Sequence, residues 1–231
     1  SRVNIANSLN TSEKNVIFTS GGTEAIDIAL NQNIGRIIIN STEHLAVFEA
    51  AKKTESIIEI LEVDDNGIVN LNKLDSMLKK GPALVCVMFA NNETGIIQPI
   101  KKISEIVRKY NSYLFCDAVQ AYGKIKINFD ELGIHFMALS AHKVGGFPGS
   151  GALIINGDIK KIVPLTLGGG QEFGLRGGTE NLIGITAFGE CAKLIDEICS
   201  ENQKLKEYIN ILEKNIESLG GFIFGGNSQR L

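Results

Sequence analysis

Residues 83–90 read ALVCVMFA and decide the fold class of this chain of 231 residues. A short apolar run without a polar residue is typical of a strand that is buried on both faces of a parallel sheet. Similar runs precede and follow it, and each of them predicts another strand. These further runs lie at residues 15–19, 36–40, 56–63, 113–116, 136–140 and 151–155.

Stretches with helical spacing separate these runs. In residues 100–110, for example, Ile103, Ile106 and Val107 form one apolar stripe. Because strands and helices alternate, we predict right-handed crossovers and an α/β fold, with helices on both faces of a mostly parallel sheet. The other predicted helices in this part of the chain cover residues 24–30, 45–53 and 71–80.

The pattern changes after Gly168-Gly169-Gly170. Residues 182–219 have helical spacing almost throughout, with a break expected near 199–202, and residues 220–224 are expected to begin a new strand. One helix and one strand cannot bury a core of their own. We therefore predict a large domain over 1–200 and the start of an incomplete small domain over 201–231.

Composition and charge exclude several classes of function. Lys and Arg number 23 against 26 Asp and Glu, a net charge of −3 that argues against a nucleic-acid partner. No apolar run approaches the roughly 18 residues that a membrane-spanning helix needs. The four cysteines are far apart and the three histidines form no zinc pattern, so we expect no metal site and a reducing, cytoplasmic location.

The chemically informative residues follow the predicted strands, where ligands bind in such sheets. Ser20-Gly21-Gly22-Thr23-Glu24 is either a phosphate site at a helix N-terminus or a tight turn with a Thr cap. Asp117 is either a cap or an anion that holds a cationic ring nitrogen, and Gln120 follows it. Lys143 is either a surface lysine or, if buried and deprotonated, a Schiff-base nucleophile.

These residues stand in a set of blocks that resembles the NifS-like cysteine desulfurases, which are fold-type I pyridoxal-phosphate (PLP) enzymes of the class-V aminotransferase type. The resemblance covers residues 15–190 and implies a seven-stranded sheet sandwiched by helices. The blocks are TSGGTEA (19–25), TEHLAV (42–47), ANNETGIIQPI (90–100), DAVQAYGK (117–124), SAHKVGGFPGSGAL (140–153) and GGGQEFGLRGGTEN (168–181).

The resemblance implies a role for each matching residue. Lys143 would bind PLP covalently and move a proton, and with His44, which would stack on the ring, it is the expected catalytic pair. Asp117 would pair with the pyridine nitrogen and Gln120 with the phenolic oxygen. The remaining expected contacts are Asn92 near the phenolic side, and Gly22, Thr23, Ser140 and His142 around the phosphate.

The same resemblance implies a homodimer, because Thr179 would reach the phosphate in the neighbouring subunit. Arg176 in the same block is expected to contact an anion or the subunit interface. The implied reaction takes sulfur from L-cysteine, leaving L-alanine and an enzyme persulfide that supplies a sulfur-acceptor protein in iron–sulfur assembly or tRNA thiolation.

The family's sulfur-accepting cysteine and its substrate-binding arginine lie beyond the residues that match here. None of the four cysteines fits that loop, and Cys116 is expected to point away from the ring because neighbouring strand residues face opposite sides. We therefore expect a fragment with weak or absent desulfurase turnover on its own. The alternatives are a selenocysteine lyase or other PLP lyase or aminotransferase, and a catalytically silent dimerisation or scaffold module. A nucleotide-binding domain is disfavoured, since no G-x-G-x-x-G follows the first strand.

Overall fold

The computed structural model describes residues 1–159 and 161–231, and within them seven strands form one sheet. The strands are β1 (Val16–Thr19), β2 (Arg36–Asn40), β3 (Ile57–Leu61), β4 (Leu84–Cys86), β5 (Tyr113–Asp117), β6 (Phe136–Ser140) and β7 (Gly151–Ile155). Their order is β1-β7-β6-β5-β4-β2-β3. β7 is antiparallel to both of its neighbours, and the remaining pairs are parallel. The predicted α/β fold with a mostly parallel seven-stranded sheet is confirmed.

Helices cover both faces of the sheet. They are α1 (Arg2–Ser8), α2 (Gly22–Leu30), α3 (Leu45–Lys52), α4 (Leu71–Leu78), α5 (Ile100–Lys109), α6 (Phe129–Leu132), α7 (Leu182–Lys193) and α8 (Ile195–Ser218). On one face, Ile26 of α2 packs in the same buried cluster as Leu84 of β4. On the other face, Ile103 of α5 packs in the same cluster as Val85. Adjacent residues of β4 therefore serve opposite cores, as strand geometry requires.

The run at 83–90 forms a shorter ladder than its composition predicts. Only Leu84–Cys86 are paired as a strand. The chain nevertheless stays beside β5, because the amide of Val87 donates to the carbonyl of Phe115 and the amide of Phe89 to that of Asp117. The apolar run is buried along its whole length, and its second half leads directly to the carboxyl edge of the sheet.

Two predictions for the C-terminal part are wrong. The helical stretch breaks at Leu194 and not at 199–202. α8 continues through 199–202 because Cys199 packs in the core and the side chain of Asn202 donates a hydrogen bond to the carbonyl of Ile198 in the same helix. Residues 220–224 form no strand, because the amides of Gly220 and Gly221 donate to the carbonyls of Glu217 and Ile216 at the end of α8. Further along, the amide of Ile97 donates to the carbonyl of Gln229 at 2.8 Å.

α8 runs through residue 200 without interruption. The division into a large domain over 1–200 and an incomplete small domain over 201–231 stays a prediction. Among the described residues, no helix combines the length and the apolar character needed to cross a membrane.

Candidate active site

A cavity of about 260 Å³ opens at the carboxyl edge of the sheet. The segments that follow β1, β2, β4, β5 and β6 all contribute to it, as expected for a ligand site in such a sheet. Every predicted site residue except Thr179 lines this cavity. The lining residues are Gly22, Thr23, Ile26, His44, Met88, Asn92, Asp117, Val119, Gln120, Ser140, His142 and Lys143.

Asp117 is the buried anion of the cavity. It ends β5 and is 5% exposed. Burial raises the pKa of its carboxyl group, while a 2.9 Å hydrogen bond from the amide of Val119 and the nearby His44 act in the opposite direction. A carboxylate held in this way stabilises a cationic partner, such as a protonated ring nitrogen.

The start of α2, which also lines the cavity, presents amides that suit an anion. α2 starts at Gly22, and its N-cap residue Gly21 supplies no side-chain acceptor. The first amides of a helix have no partner within it and carry the positive end of the helix dipole. A Cβ on Gly22 would lie 2.8 Å from Cγ2 of Val119, so a larger residue would intrude on this space. Beside it, Oγ of Ser140 is hydrogen-bonded to Nδ1 of His142 at 2.9 Å.

Lys143 lies in a short 3₁₀ turn, Ala141–Val144, directly after β6. The turn closes on Gly145, whose φ of +90° favours glycine, and the amide of Gly146 donates to the carbonyl of Ala141 at 2.9 Å. Lys143 is exposed and lines the cavity at the same time. Lys143 is therefore not buried, as the Schiff-base interpretation required, although the residue does line the cavity.

His44 and Asn92 form the exposed rim of the cavity. His44 is the N-cap of α3, and its Nδ1 accepts a 3.1 Å hydrogen bond from the amide of Ala46. This places the ring proton of neutral His44 on Nε2. The side-chain amide of Asn92 donates a hydrogen bond to Oε1 of Glu93 at 2.8 Å.

Sequence reasoning missed Glu43, which stands next to His44 and is buried. Its Oε1 accepts hydrogen bonds from the amide of Met88 and from Asn40, whereas Oε2 is buried without a partner. Burial, helped by the charge of Asp117, raises the pKa of Glu43 to about 8. Glu43 is thus a neutral acid near pH 7. The only signal in the sequence was its place in the TEHLAV block.

The glycine-rich segment around residues 168–179 is fixed by two ion pairs. Arg176 binds Glu24 of α2 at 2.8 Å, so its observed partner lies within the same chain. Arg2 binds Glu172 at 2.8 Å, and Glu172 also accepts from the amide of Phe18. Thr179 itself is exposed and does not line the cavity of its own chain.

The thiols of the four cysteines are shielded from solvent to different degrees. Cys86, Cys116 and Cys199 are buried, Cys191 is half-buried, and burial raises the pKa of each thiol. Cys116 belongs to the core on the opposite side of the sheet from its neighbour Phe115, as predicted. Within the described part of the chain, no cysteine lines the cavity.

The donor set fits a planar phosphorylated aldehyde with a basic ring nitrogen. Unpartnered helix amides suit its phosphate, the Asp117 carboxylate suits its ring nitrogen, and the amine of Lys143 suits its aldehyde. All three groups line the same cavity. Because Gly22 has no side chain, the space beside these amides stays free.

Known proteins resemble the chain over its whole length. A family model described as aminotransferase class-V matches residues 1–230. The chain is 39% identical to the cysteine desulfurase IscS of Dictyoglomus turgidum, covering all of this chain and 61% of that protein. It is 38% identical to the mitochondrial cysteine desulfurase of Saccharomyces cerevisiae, covering 94% of this chain and 46% of that protein.

A solved structure with the same fold is the NifS-like protein from Rickettsia africae. It superposes with a TM-score of 0.92 and 34% identity, covering all of this chain and 66% of that one. The chain therefore spans about half to two thirds of the length of these relatives.

Proposed function

The chain belongs to the class-V aminotransferase family, and from that premise we propose that its cavity binds PLP and serves the removal of sulfur from L-cysteine. The observation that carries the proposal is the cavity lining: Asp117, Gln120, Lys143 and the start of α2 meet in one space. Relatives at 38–39% identity are named cysteine desulfurases. When bound, PLP supplies an electron-withdrawing ring that stabilises negative charge on the α-carbon of an amino acid.

Each residue of the cavity then has a definite task. Asp117 would hold the proton on the ring nitrogen, and the amides at Gly22 and Thr23 would hold the phosphate. Lys143 would hold the aldehyde group of PLP and would be the base that removes the proton from the substrate α-carbon. The exposed ring of His44 would cover one face of the cofactor.

The reaction needs a thiol that accepts the sulfur atom released from L-cysteine. Sulfur leaves the β-carbon of L-cysteine, a thiolate forms a sulfur–sulfur bond with it, and the β-carbon gains a proton, giving L-alanine and a persulfide. Because no cysteine in the described residues lines the cavity, these residues supply the amino-acid chemistry and leave the thiol to be supplied from elsewhere. The sulfur then passes to an acceptor protein.

A homodimer is part of the proposal. Thr179 is exposed and outside its own cavity, and the neighbouring Leu182 and Ile183 expose more than 70% of their surface. These features suit a segment that reaches the phosphate in a second copy of the chain. The cytoplasmic location stays a prediction, since relatives include a protein named mitochondrial.

L-Cysteine itself tests the proposed activity. We expect L-cysteine, but not D-cysteine, to change the visible absorption of the PLP-loaded chain, while alanine forms only slowly. The Lys143→Ala variant should form no alanine. Rapid alanine formation by the chain alone would contradict the inferred absence of a thiol at the cavity. Pyruvate, or a response to L-selenocysteine only, would instead support the lyase alternatives, and no response to any amino acid would support a scaffold.

A further inference from the structure

A lysine outside the predicted site lies four residues after Gln120. Nζ of the half-buried Lys124 donates a 2.6 Å hydrogen bond to Oε1 of Gln120. Gln120 lines the cavity, whereas Lys124 does not. An ammonium group has three donors and no acceptor, so only the oxygen of the amide can face it. The amide nitrogen of Gln120 is thereby directed away from Lys124 and kept available as a donor.

The turn that carries Lys124 is held from several sides. The amide of Lys124 donates to the carbonyl of Ala121 at 3.0 Å. Asn202 of α8 donates to the carbonyl of Gly123 at 3.1 Å. Gly123 has a φ of +82°, and a Cβ there would lie 2.7 Å from Cγ1 of Val144. These contacts fix the backbone of the turn, and with it the position of the Lys124 Cα from which the side chain extends.

Among the described residues, the ammonium group of Lys124 forms no ion pair and donates a hydrogen bond to Gln120. Burial lowers the pKa of its ammonium group, and repulsion from Lys143 lowers it further. Among the described residues, Oε1 of Gln120 is the acceptor that its ammonium group contacts. A hydrogen bond from a charged donor is stronger than one between neutral groups, so this contact is well suited to decide how the amide is turned.

We propose that Lys124 is a positioning residue that keeps the nitrogen of the Gln120 amide, and not its oxygen, toward the cavity. The inference rests on the proposed function, in which that N–H donates to the ionised phenolic oxygen of PLP. If the Gln120 amide were reversed, its oxygen would face the phenolic oxygen of PLP, and the two negatively polarised atoms would repel each other. Lys124 thus acts on the cofactor through Gln120, without touching it.

The first experiment does not depend on the cofactor. We would measure the ¹³C chemical shift of the Gln120 side-chain carbonyl in the PLP-free chain. Lys124→Met should move this resonance because the charged donor is lost. The matched control is Lys126→Met, since Lys126 is exposed and pairs with Asp196 at 3.0 Å. An unchanged Gln120 resonance in Lys124→Met would overturn the inference.

The second experiment measures the pH at which the visible band of the PLP-loaded chain titrates. A donor on the phenolic oxygen favours the deprotonated state, which carries more negative charge. Lys124→Met should therefore raise the midpoint by about 0.5–1 pH unit, the size expected for one hydrogen bond. Lys124→Arg should restore it, and Lys126→Met should leave it unchanged. The other titratable groups of the cavity stay in place in every variant: His44, Asp117, His142 and Lys143.

A double-mutant cycle separates positioning from a direct effect of charge. In the Gln120→Ala background, Lys124→Met should shift the midpoint no further. An equal shift in that background would show that the charge acts on PLP directly and would overturn the inference. If the wild-type chain gains no visible band with added PLP, the proposed function fails, and the Gln120 carbonyl resonance alone decides whether Lys124 orients the amide.

Discussion

At the scale of single residues, the surroundings of two neighbouring carboxyl groups assign them different tasks. Asp117 has the Val119 amide and His44 to favour its charge, whereas Oε2 of the buried Glu43 has no partner. Burial of Glu43 outweighs the hydrogen bonds that its Oε1 accepts, so its pKa rises to about 8. In the proposed site, Asp117 would be the anion that faces the cofactor, and Glu43 a carboxyl group behind the rim that keeps its proton to a higher pH.

Glu43 makes stability depend on pH. Its pKa of about 8 in the folded chain lies above the ordinary value of 4.5, so the folded state retains a proton that the unfolded state has lost. The free energy of unfolding should fall as pH rises from about 5 to 8, by at most about 1.4 kcal/mol per pH unit, with the full loss present above pH 8. Glu43→Gln should make this slope clearly shallower in urea titrations of the PLP-free chain.

The control for Glu43 is Glu49→Gln, because Glu49 is exposed and pairs only with Lys52 in this part of the structure. It should keep the wild-type slope. A Glu43→Gln variant that loses stability between pH 5 and 8 as steeply as the wild type would show that Glu43 is not the group that titrates.

His44 has a structural and a functional task that substitutions can separate. Ala at this position loses both the N-cap of α3 and the ring, and should cost about 1 kcal/mol of unfolding free energy. Asn retains a capping oxygen and should keep the stability. Both variants should bind PLP several-fold more weakly, as measured by titration of the visible band. Wild-type affinity in His44→Asn would exclude ring contact with the cofactor.

At the scale of elements, the connection from β1 to α2 forms the anion end of the site. Gly22→Ala should weaken PLP binding about tenfold, because its Cβ would meet Val119 at 2.8 Å and push into the cavity. Gly21→Ala is the matched control, since a Cβ at Gly21 meets nothing within 4 Å. Equal affinities of the two variants, measured by PLP titration, would contradict the placement of the phosphate at this helix.

Elements also show what the sequence could predict. The run RIIIN forms β2, and Asp117 and Lys143 lie at the ends of strands, as local composition and the order of the blocks predict. The break at Leu194 escaped prediction, since residues 199–202 look polar but Cys199 and Asn202 are held by tertiary contacts. Glu43 and Lys124 escaped prediction for the same reason. The burial of Glu43 and the contact of Lys124 with Gln120 arise in the folded chain and leave no pattern in the sequence.

At the scale of the whole molecule, the proposal requires two chains. Thr179→Ala should lower PLP affinity by several-fold even though Thr179 lies outside its own cavity. In the wild type that affinity should rise with chain concentration, because the partner supplies the contact. Thr166→Ala, at an exposed position just before the glycine-rich segment, should change neither quantity. A PLP affinity that is independent of concentration and of Thr179 would contradict the shared site.

The most direct test of the account is to trap the cofactor on the chain. Purified protein is loaded with PLP, reduced with borohydride, digested and mapped by mass spectrometry. We predict that the visible band bleaches and that a pyridoxyl group is found on Lys143, with none in Lys143→Ala. A label on another lysine, or no band and no label after PLP is added, would contradict the assignment of this cavity.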